Sequence, residues 1–172
     1  MKRTSTAKHS SASHQSLHLP QLAGWIFLCE AVGIAGSLFT ASSVSSWYPT
    51  LQKPVFSPPN WIFGPVWVTL YALMGIAAYR ISGLGTKRKE VRNAIGLFLV
   101  NLFFNAIWSP VFFGARNIPL AFIIIAAMWV SLIGVIFRYQ NLDKPSAYLM
   151  LPYFLWVSFA MVLNYHLWLL NF

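Results

Sequence analysis

The chain has 172 residues, the length of one ordinary domain, but 58% of them are hydrophobic and only 9% are charged, against about 25% charged in a typical globular chain. That composition excludes an ordinary water-soluble domain and makes a multi-pass membrane protein the direct reading. The net charge of +9 does not argue for nucleic acid. The basic residues sit in short segments between apolar runs, where membrane lipid with an anionic surface is the natural partner.

Residues 1–20 are rich in Ser, His and Lys and contain no acid, which predicts a disordered basic tail. His14 and His18 stand four apart, a spacing a metal accepts on a helix, but a mobile tail is the better reading. The tail is Ser-rich and acid-free, as transit peptides are, without their amphipathic stripe. Residues 21–172 then form the transmembrane domain. Five apolar segments are predicted at 22–42, 61–81, 91–113, 118–137 and 146–170. Each has the roughly 20 residues needed to cross a hydrocarbon core as a helix, and helices satisfy their backbone polar groups where lipid offers no partner. The fold class expected is an all-α membrane protein, a bundle of five transmembrane helices. The lone Cys29 lies in the first span, permits no intrachain disulfide and says nothing of compartment.

Topology follows from charge. With five spans, Lys2, Arg3, Lys8, Arg80, Lys87, Arg88, Lys89, Arg92, Arg138 and Lys144 share one side, and only Lys53 and Arg116 lie on the other. The bias predicts a cytoplasmic N-terminus and an outer C-terminus. The stretch LQKPVFSPPN, at 51–60, then faces outward in a bacterial cell membrane.

Prolines punctuate the spans: Pro65 early in the second, Pro110 late in the third, Pro119 opening the fourth, Pro152 about two turns into the fifth. Within a helix, proline removes a donor and displaces the carbonyl four residues earlier, here those of Ala106 for Pro110 and Tyr148 for Pro152. Bundle curvature explains such bends, and so does a cavity near the outer leaflet. Asn101, Asn105 and Trp108 share a face of the third helix, and Trp156, Ala160 and Leu163 a face of the fifth, with Asn164 alongside. Trp67, Tyr71 and Met74 form a third stripe on the second helix. Asparagines avoid hydrocarbon, so Asn101, Asn105 and Asn164 should face the interior and hydrogen-bond between helices. Tryptophans and a small alanine on the same faces favour a flat apolar ligand.

Glu30 is the one acid inside a span, a costly placement that marks an interior pairing or a pathway. Protonation, or a partner in Arg80 or Arg138, accounts for it equally well. The sequence offers no catalytic constellation: no metal-spaced Cys/His set, no G-x-S-x-G, no phosphate-cradling glycine loop and no carboxylate pair. No catalytic residue, metal or required cofactor is therefore assigned. His166, beside Tyr165 and Trp168, reads as an interfacial residue.

The run WYPTLQKPVFSPPNWIFGPVWVTLYALMG, residues 47–75, resembles the signature of the translocator protein or tryptophan-rich sensory protein family, TspO/MBR. NAIWSPVFFGAR at 105–116 and PYFLWVSFAMVLNY at 152–165 resemble its second and third hallmarks, in the same order and spacing. The resemblance implies a five-helix bundle, commonly a homodimer, with an outer pocket covered by the long first loop. Family members bind protoporphyrin IX and related tetrapyrroles, sterols such as cholesterol, and benzodiazepine- or isoquinoline-type drugs. By resemblance, Trp67 and Trp156 line the pocket, with Ala160 and Leu163 on the fifth helix. Phe63, Gly64 and Val66 form the second-helix wall, and Asn105 and Trp108 the third-helix wall. Trp47, Tyr48, Pro58, Pro59 and Trp61 match the lid, together with Phe56, where many members carry tryptophan. The chain departs from the family at Leu120, a tryptophan in animal members. The sterol pattern after Leu163 and Tyr165 lacks its basic residue, and the third-helix dimer motif keeps Gly96 but has Val100 at its second position.

These residues imply an integral membrane protein that binds porphyrins or other flat hydrophobic molecules, in tetrapyrrole handling or stress response. Two other functions stay open. One is light- and oxygen-dependent degradation of protoporphyrin IX, with the pocket tryptophans taking part. The other is small-molecule transport, for which the spans show no paired repeats.

Overall fold

A computed structural model describes residues 18–172. The expected disorder of the tail lies outside the described residues up to residue 17, as does His14 of the histidine pair. Five helices follow: α1 (Leu19–Val44), α2 (Phe63–Gly83), α3 (Lys89–Ser109), α4 (Ile118–Leu142) and α5 (Lys144–Asn171). All five are long and apolar enough to cross a membrane. The chain is therefore an all-α, multi-pass membrane protein. α1 starts before the predicted boundary because Pro20 sits in its first turn, where a missing N–H costs nothing. Prolines open α4 and α5 in the same way.

Around the bundle, α1 packs on α2, α2 on α5, α5 on α4, α4 on α3, and α3 back on α1. The two ends of this ring differ. At the end bearing the α2–α3 and α4–α5 connections, Met74, Ala77, Ala78 and Ile81 of α2 meet Val91, Ala94 and Phe98 of α3, with Leu132, Val135 and Tyr139 of α4 completing a buried core. Small residues let backbones approach in place of a hydrophobic drive that lipid does not supply. Gly75 shows how close: a Cβ there would stand 2.6 Å from Ile26 Cα of α1.

Short connections at this end are held by charge. The Arg80 guanidinium donates from Nε and a terminal nitrogen to both Asp143 oxygens, at 2.9 and 3.0 Å. Asp143 also caps α5 by accepting from the Ser146 N–H at 3.1 Å. Burial pushes the Asp143 carboxyl up, but the hydrogen bonds from Arg80 and Ser146 and the Arg80 charge outweigh it and hold it below the usual carboxylate range. Arg80 is thus committed to Asp143, not to Glu30, which removes one of the partners considered for that acid.

The opposite end is opened by two departures from regular helix. Pro110 cannot continue the α3 ladder, and residues Pro110–Gly114 form a π turn closed by the Ala115 N–H donating to the Pro110 carbonyl at 2.8 Å. Three side chains of α1 and α3 then tie these helices together. Ser109 donates to the Gly36 carbonyl at 2.8 Å and shares a 2.8 Å hydrogen bond with Thr40, while Ser43 donates to the Phe113 carbonyl at 2.8 Å.

Candidate functional site

The long loop between α1 and α2 is built from its own prolines and anchored by its aromatics. Two single turns of 3₁₀ helix, Tyr48–Thr50 and Asn60–Ile62, bracket it. Tyr48 is buried against Phe112 and Phe113 of the π turn, with ring centroids 6.4 and 5.9 Å away. Burial raises the Tyr48 phenol above its ordinary range, partly offset by a hydrogen bond with Ser57. Trp47 packs edge-on against Phe112 at 5.7 Å. Further along, Phe56 seats on Phe159 and His166 of α5, and Asn171 exchanges two hydrogen bonds with the Gln52 backbone at 2.9 and 3.0 Å. The loop is thereby fastened to the π turn and to α5 across the end of the bundle.

Beneath it lies a cavity of about 550 Å³, within the roughly 300–1,000 Å³ of sites for small organic ligands. Tyr48 forms part of its wall, with Phe63, Gly64 and Trp67 from α2, Asn105 and Trp108 from α3, and Trp156, Ala160 and Leu163 from α5. The remaining expected residues lie off the wall. Trp47 and Phe56 hold the loop to the bundle, and Val66 packs toward the core beside the cavity residues. Pro58 is half-buried in the loop, Pro59 is exposed, and Trp61 is 74% exposed.

A polar scaffold fixes the aromatic walls. Tyr71 donates to Asn105 Oδ1 at 2.6 Å, and Asn105 Nδ2 donates to the Tyr153 hydroxyl at 2.9 Å, linking α2, α3 and α5. Trp108 donates to Asn164 Oδ1 at 3.2 Å, and Asn164 Nδ2 donates to the Ile118 carbonyl at 3.2 Å. Asn101 is not part of the cavity wall and donates to the Met128 carbonyl at 2.8 Å and to Ser131 at 2.9 Å. The three asparagines thus face the interior and bond between helices. Trp67 stacks on Tyr71 with centroids 5.3 Å apart and planes 27° from parallel. Trp156 is held between Phe63 and Phe159, and its buried Nε1 has no hydrogen-bond partner among the described residues.

The fourth wall is α1, which the sequence reading did not assign to the site. Glu30, Gly33, Ser37 and Thr40 all line the cavity, and their i, i+3, i+7, i+10 spacing puts them on one helical face. A row of one acid, one glycine and two hydroxyls in an apolar helix is the signal that marks it. α1 and α2 are tight at Ile26–Gly75 and at Gly33, where an added Cβ would collide with the Tyr71 ring. Beyond that level the serine and threonine ties draw α1 toward α3. Ile34, Ser37 and Ala41 of α1, and Gly64 and Val68 of α2, line the cavity and are exposed at the same time. The cavity therefore opens sideways between α1 and α2, on the perimeter that faces lipid.

With this geometry in hand, the comparison with known proteins is decisive. The TspO/MBR family profile matches residues 25–169. The chain belongs to the TspO/MBR family. Relatives include the tryptophan-rich protein TspO of Chlorobaculum tepidum, 42% identical over 87% of this chain and 95% of that protein. TspO of Archaeoglobus fulgidus is 40% identical over 90% and 99%, and the translocator protein of Ovis aries 36% identical over 84% and 86%. All five TspO/MBR spans, including α1 and its cavity face, fall within or overlap the matched region.

Proposed function

We propose that this membrane receptor- or sensor-type protein binds porphyrins such as protoporphyrin IX, or related flat hydrophobic molecules, in the cavity under the α1–α2 loop. The observation that carries this reading is the convergence of Trp67, Trp108 and Trp156 from three helices on one cavity of about 550 Å³. Large planar aromatics bury apolar area on such walls and gain offset or edge-on ring contacts of about 0.5–1.5 kcal/mol each beyond burial. The sideways opening between α1 and α2 supports a ligand that partitions into the bilayer first and enters from it. Sterols fit this apolar space less specifically, because they offer no aromatic plane to the tryptophans.

The test is quenching of intrinsic tryptophan fluorescence by protoporphyrin IX in the full-length chain. Saturable quenching is expected, weakened by about ten-fold or more in affinity in a Trp67→Phe, Trp156→Phe double variant, the equivalent of about 1.4 kcal/mol. Unchanged affinity in the double variant would remove these walls from the site. The same reading includes a homodimer. Gly96, Val100 and Phe103 leave an exposed strip along α3, and a Cβ at Gly96 meets nothing within 4 Å, so a second helix has room to approach there.

A further inference from the structure

Glu30 has a place in the cavity that flat apolar burial does not use. It is the one acid in the cavity wall. It makes no hydrogen bond or ion pair among the described residues, and Arg80, one of the two cations considered for it, is occupied by Asp143. No Lys, Arg or His lines the cavity. A carboxyl in a membrane interior is costly unless it meets an opposite charge or a donor. The described residues supply neither here, which leaves the complement open to a ligand that enters.

The surroundings favour a cation. Gly33, one turn after Glu30, lies against the Tyr71 ring, and Tyr71 stacks on Trp67. All four residues line the same cavity. A carboxylate that shares a cavity with stacked tyrosine and tryptophan rings suits an organic cation, by charge and by the negative faces of the rings. We propose that Glu30, with Tyr71 and Trp67, forms a subsite for a positively charged nitrogen carried by a flat aromatic ligand. The proposal rests on the cavity being a ligand site. It adds a second ligand class, planar aromatic cations, and an orientation: the cationic nitrogen at the Glu30 end, the remaining rings toward Trp108 and Trp156. A planar ligand bearing carboxylates takes the opposite orientation, its acids away from Glu30.

The probes are N-methylacridinium and its uncharged isostere 9-methylanthracene, titrated against the full-length chain in nanodiscs of zwitterionic phosphatidylcholine. The wild-type chain is expected to prefer the cation by about ten-fold or more. Glu30→Gln should abolish that preference, bringing the ratio of the two affinities to about one, whereas Glu30→Asp, which keeps the charge, should retain a preference. A preference that survives Glu30→Gln overturns the assignment, as does a parallel loss of both ligands in the two variants. The failures separate cleanly. Protoporphyrin quenching without any cation preference overturns the Glu30 subsite alone, and absence of binding by all three molecules overturns the cavity reading with it.

Discussion

The Tyr71 hydroxyl donates to Asn105 Oδ1 at 2.6 Å across two helices, and the same asparagine donates onward to Tyr153 at 2.9 Å. One side chain therefore positions two tyrosines and, through the Trp67–Tyr71 stack, a tryptophan of the cavity wall. Asn105→Leu keeps the volume but leaves both hydroxyls without this partner. It should lower stability in detergent by about 1–2 kcal/mol, above the average for interhelical hydrogen bonds in membranes because two are lost. Tyr71→Phe, which removes one, should cost about half as much. Thermal unfolding of the two variants beside wild type measures the difference.

Close approach of α1 and α2 is a matter of one hydrogen atom. At Gly75 a methyl group would meet the Ile26 backbone, with N at 2.8 Å and Cα at 2.6 Å. Backbone cannot swing aside as a side chain can, so Gly75→Ala should destabilise by about 1–3 kcal/mol. Gly24 on the same pair of helices has nothing within 4 Å of an added Cβ. Gly24→Ala should be neutral or slightly stabilising, since alanine is the better helix former. Equal melting temperatures for the two variants would contradict the packing described.

Acid should loosen the α4–α5 junction. The Asp143 carboxyl is held below its ordinary range in the folded chain, so it binds fewer protons folded than unfolded. Its contribution is present above the unfolded value of about 3.9 and is lost as pH falls through the lower folded value. Stability of the wild type should therefore drop more steeply below about pH 4 than that of Asp143→Asn. Asn keeps the capping oxygen for α5, so Asp143→Ala should cost about 1 kcal/mol more than Asp143→Asn at neutral pH. Partial exposure of Arg80, at 40% of its side chain, limits the ion pair itself.

Orientation in the membrane can be read by labelling. We propose the α1–α2 loop outside and the basic α2–α3 connection inside, from the distribution of Lys and Arg. Thr50→Cys should react with a membrane-impermeant maleimide in intact cells, and Lys87→Cys only after lysis. The native Cys29 is fully buried and should contribute little background. The reverse pattern would invert the topology.

Much of the site was legible because membrane helices announce their faces. Asn105, Asn164 and Trp108 declared the inward side of α3 and α5, since an amide in hydrocarbon has nowhere else to go. Phe56 and Trp61 were harder. Aromatic content marks a loop as important, but only packing tells an anchor on Phe159 and His166 from a residue facing outward, or either from a cavity wall. α1 was the least legible, with a single fully buried side chain along most of its length and a site face made of small hydroxyls and glycine. Those residues read as filler until a neighbouring helix gives them partners.

The sequence by itself determined that the chain crosses a membrane five times, because composition and segment length leave lipid as the only solvent for most of it. It also determined the inward faces of α2, α3 and α5, through periodicity and the cost of burying amides. Only the tertiary structure decided that Pro110 ends α3 in a π turn and that Ser109 draws α1 toward α3. That tie is made by hydrogen bonds between residues about seventy positions apart, a pairing that no local pattern along the chain announces.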